Sequence, residues 1–188
     1  IVRRVTEFGK LPEGVCYAVP GHPLVCESTV QRLLEAAAQE GLPVRIVAGL
    51  SFLEPTLQAL GLDLLEGVQV LDATEVALMH HPPVNPDRPV LLGQLYSRAV
   101  ASDVKLTLMN LYPDDHAVTL VTAAGLPAEE LITVPLYEMD RQAEIGHLTT
   151  LYVPPLSREG SVEAYLEVIA HLRSEDGCPW DREQTHRS

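Results

Sequence analysis

The chain has 188 residues and carries 26 Asp plus Glu against 13 Lys plus Arg, a formal net charge of −13 at pH 7. That acidity argues against binding a nucleic-acid backbone or an anionic membrane, since both select basic faces. Apolar runs reach about five residues, far short of the roughly 20 a membrane span needs. A hydrophobic share of 46% is enough for a packed core and too high for a disordered chain.

The opening stretch, Ile1-Val2-Arg3-Arg4-Val5-Thr6-Glu7, has no initiator Met and no signal-peptide core, and reads as the interior of a longer protein. Cys16, Cys26 and Cys178 are odd in number and widely spaced. They fit neither a disulfide framework nor a CxxC-type zinc site, and they read as buried, inert thiols in a reducing cytoplasm.

Val15-Cys16-Tyr17-Ala18-Val19 is a short apolar run followed by the turn signal Pro20-Gly21-His22-Pro23, which predicts a buried strand and a loop. Val30, Leu33, Leu34, Ala37 and Ala38 form one helical face, with Gly41 as the stop. Val44-Arg45-Ile46-Val47 predicts a second strand. Ser51 and Glu54 have capping-box spacing, so a helix is expected from Ser51 to Gly61. Val68-Gln69-Val70-Leu71 predicts a third strand. This alternation predicts a mostly parallel sheet with right-handed crossovers.

His80-His81-Pro82-Pro83-Val84-Asn85-Pro86 breaks the pattern and is expected to link two lobes. The second lobe opens with a strand from Val90 to about Leu95. A helix follows with Val100, Val104, Leu108 and Leu111 on one face, stopped by Pro113. Strands are expected over 116–122, 131–136 and 148–153, giving an α+β lobe with antiparallel pairing. Ser161 caps an amphipathic helix carrying Val162, Tyr165, Leu166, Ile169 and Leu172.

Ligands in open α/β sheets sit beyond the carboxyl ends of strands. The loops at Gly21 and Ser51 both hold such positions, so each is either a ligand loop or a plain turn and cap. His80-His81 reads as a solvated pair, Asp114-Asp115 as a turn, Glu129-Glu130 as a solvated loop, and Asp103 and Lys105 as surface residues. GxGxxG, GxSxG, Walker A and HExxH patterns do not occur. The residues by themselves support a two-lobed α/β domain with a cleft.

Tyr17-Ala18-Val19-Pro20-Gly21-His22-Pro23 resembles the glycine- and proline-containing loop of the tetrapyrrole methylases, with His22 where that family often has Asp. Ala48-Gly49-Leu50-Ser51-Phe52-Leu53-Glu54, Ala101-Ser102-Asp103-Val104-Lys105-Leu106 and Gly146-His147-Leu148-Thr149-Thr150-Leu151-Tyr152-Val153-Pro154-Pro155 resemble the branch fused to a MazG-type nucleotide pyrophosphohydrolase. Asp176-Gly177-Cys178-Pro179-Trp180-Asp181-Arg182-Glu183-Gln184-Thr185-His186 resembles the opening of a MazG domain.

The resemblance implies a two-lobed methylase fold. Residues 1–85 would be the rear of the N-terminal lobe without its first glycine-rich loop, and 86–156 the C-terminal lobe. Residues 157–173 would be a linker helix, and 174–188 the start of an all-α MazG-like domain. It implies an S-adenosylmethionine-dependent methyltransferase, with Gly21, His22, Ser51, Phe52, Gln94, Leu95 and Ala117 on the cofactor, and a small-molecule acceptor. It identifies no catalytic residue, no resident metal in the methylase lobes, and Mg²⁺ only for the MazG-like part. It also implies a cytoplasmic homodimer, and a chain that is inactive without the missing parts. The competing implication is a ligand-binding or dimerisation module that regulates the pyrophosphohydrolase.

Overall fold

In the computed structural model, residues 1–185 are described, so the last part of the MazG-like stretch, from His186, lies outside them. The chain forms two compact units, Ile1–Leu62 with Ala123–Glu129, and Asp63–Thr122 with Glu130–Ser188. The division falls at residues 62–63, ahead of the Pro-rich stretch expected to link the lobes. The reason is pairing. The first strand, β1 (Gln69–Asp72), lies parallel to β2 (Val90–Gly93) and so belongs to the second sheet.

The first unit carries α1 (Val2–Gly9), α2 (Ser28–Glu40) and α3 (Leu53–Leu60). α2 follows the expected apolar face, burying Val30 and Ala37, and both α2 and α3 end at a left-handed glycine, Gly41 and Gly61. α1 was not foreseen in the sequence. The strands expected at 15–19 and 44–47 do not form: no ladder joins either stretch to a neighbour among the described residues. An apolar run specifies an extended chain only when another strand takes its backbone groups. Val15, Val44 and Val47 are consequently exposed, and so are Cys16 and Cys26, which corrects the reading of these thiols as buried.

The second unit holds one five-stranded sheet in the order β1-β2-β5-β3-β4, with β3 at Ala117–Thr122, β4 at Glu130–Pro135 and β5 at Thr149–Val153. Only the β1–β2 pair is parallel; β2–β5, β5–β3 and β3–β4 are antiparallel. Every residue of β2 is buried, so both of its faces pack, as its continuous apolar sequence requires. After β1 comes a single turn, α4 (Ala73–Val76), capped by Asp72. α5 (Arg98–Leu108) is capped by Ser97 and buries Ala101, Val104, Thr107 and Leu108. β4 ends at Pro135, one residue short of the strand expected over 131–136, and a 3₁₀ stretch, Leu136–Arg141, adds Leu136 and Met139 to the same core. Burying one such Leu or Met side chain stabilises by about 1.5–3 kcal/mol.

α6 (Val162–Leu172) starts at the expected cap, where the Ala164 N–H donates to Ser161 Oγ at 3.0 Å. Its last residues turn back into α7 (Pro179–Glu183). Arg173 Nη1 donates to the carbonyls of Asp181 and Gln184, and Arg182 Nη1 to that of Glu175. Beyond α6 the described residues hold α7 alone, not an all-α domain.

Candidate functional site

The two loops singled out in the first unit meet. Gly21 is in the left-handed region at φ +83°, a conformation that favours glycine. A Cβ on Gly49 would stand 2.8 Å from the Gly21 carbonyl oxygen, so no side chain fits between these backbones. A Cβ on Gly21 would stand 3.4 Å from the Leu50 carbonyl oxygen. Gly21 and Gly49 therefore let the two loops touch, and the surface they present is backbone.

His22 follows this contact. Its Nδ1 accepts the Leu24 N–H at 3.1 Å. An imidazole nitrogen that accepts carries no proton, so the neutral ring has its N–H at Nε2. In the second loop Glu54 is the anchor. Its Oε2 accepts the Ser51 N–H at 2.8 Å and the Ser51 hydroxyl at 2.6 Å, and Ser51 Oγ accepts from the Leu53 N–H at 3.0 Å. α3 accordingly begins at Leu53, two residues after the start expected. The Ser51 hydroxyl hydrogen bond is the main reason the Glu54 carboxyl sits below its usual range, and backbone hydrogen bonds add to the effect. Ser51 is buried with its one hydroxyl proton committed, so what it offers a ligand is position and backbone. Phe52 is half-buried beside it.

In the second unit the C-terminal end of β2 is unusual. Gln94 is a non-glycine residue at φ +64°, exposed between the buried Gly93 and Leu95. Such a residue costs of order 1–2 kcal/mol and clusters at ligand sites. Leu95 is wholly buried, so only its backbone is available. Ala117 does not join them. It opens β3 at the end of the sheet where Pro135 pairs, whereas Gln94 follows the opposite end, about 17 Å away along the strands at 3.3 Å per residue. The residue of β3 that shares the Gln94 end is Thr122, which pairs with Thr149 of β5.

Sequence reasoning also missed Tyr96 and His147. Their rings stack with centroids 6.1 Å apart and 20° between planes. The only signal available was the aromatic residue three positions past the β2 strand. Lys105, expected on the surface, is instead in a largely buried ion pair, Nζ to Asp140 Oδ2 at 2.7 Å. Asp140 is 35 residues away, beyond the reach of helix periodicity. His80 and His81 are exposed, and His80 offers only its carbonyl, to Asn110. Among the described residues no group of three or more His, Cys, Asp or Glu is placed to hold a metal ion.

Several solved structures share this fold. The chain superposes on the methyltransferase CobJ with a TM-score of 0.63 at 17% identity, over 85% of this chain and 74% of that one. For a diphthine synthase the TM-score is 0.60 at 18% identity, over 81% and 63%. For the uroporphyrin-III C-methyltransferase of Thermus thermophilus, complexed with S-adenyl homocysteine, it is 0.58 at 16% identity, over 87% and 75%. In sequence the chain is 43% identical over 185 residues to the uncharacterized protein YabN of Bacillus subtilis (strain 168). That match covers 94% of this chain, which spans 36% of the length of YabN. Residues 1–140 match the family described as tetrapyrrole (corrin/porphyrin) methylases, a stretch that includes both glycine loops and the Gln94 turn, and the chain belongs to that family.

Proposed function

We propose that the chain is an S-adenosylmethionine-dependent methyltransferase domain acting on a small molecule. The observation that carries this is the backbone contact of Gly21 with Gly49, in a chain of methylase sequence. A site for a bulky, zwitterionic nucleoside needs exposed amides and carbonyls that are not walled off by side chains, and these two glycines supply them. In the first unit the contacts proposed are Gly21, His22, Ser51 and Phe52; in the second, Gln94 and Leu95. Ala117, at the other sheet end from Gln94, has no part in that turn. The sulfonium of the cofactor supplies an electrophilic methyl group. The protein's task is then to orient, because displacement at carbon demands alignment of donor and acceptor. Gly21 and Gly49 fix one loop against the other, Glu54 locks the second loop, and His22 presents an Nε2–H donor.

We further propose that this domain works in a longer, bifunctional protein together with a MazG-like nucleoside triphosphate pyrophosphohydrolase that takes Mg²⁺. The Asp176–Thr185 stretch and the much greater length of YabN support that reading. A cytoplasmic homodimer is proposed with it.

Calorimetry of the full-length protein with S-adenosylhomocysteine tests the methyltransferase reading. Binding in the micromolar range, lost on Gly49→Val, is expected. A protein that folds and takes up no S-adenosylhomocysteine would overturn it.

A further inference from the structure

The β2–β5 ladder ends where Leu92 faces Leu151, and the segments that leave it, through the left-handed Gln94 on one side and ahead of Thr149 on the other, bring Tyr96 and His147 together. The two rings stack with their centroids 6.1 Å apart. His147 is exposed, and among the described residues neither ring nitrogen has a hydrogen-bond partner. Yet the loop that carries it is fixed. Thr149 is buried, and its Oγ1 accepts the Gly146 N–H at 3.0 Å and donates to the Glu144 carbonyl at 3.3 Å. The Thr149 N–H closes the turn on the Gly146 carbonyl at 3.0 Å. An imidazole held by a ring stack and a pinned turn, with both nitrogens uncommitted, is equipped to take up a proton. It also stands at the sheet end that carries the left-handed Gln94.

We propose that His147, oriented by Tyr96, receives the proton that the methyl acceptor gives up; this rests on the methyltransferase reading above. The acceptor is then a molecule whose methylated oxygen, nitrogen or activated carbon bears hydrogen. Its lone pair, or the pair of the breaking bond to hydrogen, forms the new bond to the methyl carbon. The carbon–sulfur bond of the sulfonium donor breaks with its electron pair left on sulfur. The acceptor's proton passes to a ring nitrogen of His147. The products are the methylated acceptor, a neutral thioether and an imidazolium. The ionisable side chains on the flanking segments are Tyr96 and Arg98 after β2 and Glu144 on its own loop, and Arg98 is turned to the Asp140 carbonyl at 3.0 Å.

The test needs no acceptor. Sinefungin carries an amine where the donor carries its methyl sulfonium, whereas S-adenosylhomocysteine is neutral there. The His147 imidazole resonance of the full-length protein, identified by its loss in His147→Gln, is titrated with pH in each complex. A positive charge beside the ring disfavours its protonation. The His147 midpoint is expected to lie lower with sinefungin than with S-adenosylhomocysteine by about half a pH unit or more, as for a like charge within a few ångströms. Tyr96→Leu is expected to shrink that difference by freeing the ring. Equal midpoints in the two complexes overturn the proposal while leaving the methyltransferase reading intact. A protein that binds neither ligand removes that reading, and the proposal with it.

Discussion

Gly49 and Gly21 touch backbone to backbone: a Cβ on residue 49 would lie 2.8 Å from the Gly21 carbonyl oxygen and 3.4 Å from its carbonyl carbon. Carbon and oxygen do not approach so closely without repulsion, and the atom in the way is backbone, which cannot rotate aside. Gly49→Ala therefore forces the two loops apart. Since the loops are the proposed cofactor surface, the expected result is at least a tenfold loss of S-adenosylhomocysteine affinity, equivalent to about 1.4 kcal/mol. α2 and α3 should remain folded. Calorimetry and far-ultraviolet circular dichroism check the two halves of this expectation, and an unchanged affinity contradicts it.

Glu54 gives a pH dependence to the same loop. Its carboxyl lies below the usual value, chiefly because the Ser51 hydroxyl donates to it, so the folded state binds its proton more weakly than the unfolded chain. That contribution to stability is complete above the unfolded value of about 4.3 and disappears as pH falls through the folded one. Ser51→Ala removes the hydroxyl bonds and should cost about 1 kcal/mol, as loss of a cap does. Urea melts between pH 3 and 6 should show the gap between wild type and Ser51→Ala narrowing as the pH drops. A gap of constant size counts against the pairing.

The sequence displayed this loop pair but not its mechanics. Ser51 and Glu54 announce themselves by spacing, and the structure joins them, although the helix starts at Leu53. The second unit was legible strand by strand, because each strand is a short apolar run with a turn after it, and the antiparallel pairings followed. Three things were hidden for one reason, which is that local pattern carries no record of a distant partner. The 15–19 and 44–47 runs look like strands whether or not a neighbour takes up their backbone groups. β1 looks like the last strand of the first lobe until its parallel partner β2 is known. His147 looks like a loop residue until the fold sets Tyr96 against it.

Asp87 ties the start of α6 to the segment that leads into β2. Its Oδ1 accepts the Gly160 N–H at 2.7 Å and its Oδ2 the Ser161 N–H at 3.1 Å, immediately ahead of the helix. Burial opposes ionisation of this carboxyl, but the hydrogen bonds from Ser161 and Gly160 outweigh it and hold it below its ordinary value. α6 buries no residue of its own, so these bonds are a large part of what fixes its start. Asp87→Ala should leave protection of the β2 and β5 amides against hydrogen exchange unchanged and lower it in α6 about tenfold, the signature of local opening. Equal loss in the strands would mean that Asp87 supports the whole unit instead.

Lys105 and Asp140 form the ion pair whose disruption should cost most. Their side chains are only 15% and 17% exposed, and Asp140 Oδ1 is buried with no hydrogen-bond partner among the described residues. Burial pushes the Asp140 carboxyl toward its neutral form, and the hydrogen bond and charge of Lys105 reverse this, holding it below the usual value. Lys105→Met leaves that carboxylate buried without its counter-charge, held only by Ser102 and its own backbone, and the expected cost is about 3 kcal/mol. The carboxyl's remedy is then to pick up a proton, so its pKa should rise above the unfolded value of about 3.9. The sign of the pH dependence inverts with it. In the wild type the pair stabilises above pH 4 and fades as pH falls; in Lys105→Met the folded state binds the proton more tightly, so acidification toward pH 4 should recover stability relative to wild type. Lys105→Met combined with Asp140→Leu removes both charges and should regain most of the loss, since replacing a buried pair by apolar groups is often close to neutral. Urea denaturation of wild type, the two single variants Lys105→Met and Asp140→Leu, and the double variant at pH 4 and pH 7 measures every term. A Lys105→Met protein within about 0.5 kcal/mol of wild type at pH 7, the size of an ordinary surface substitution, would show that the pair is solvated and contributes little.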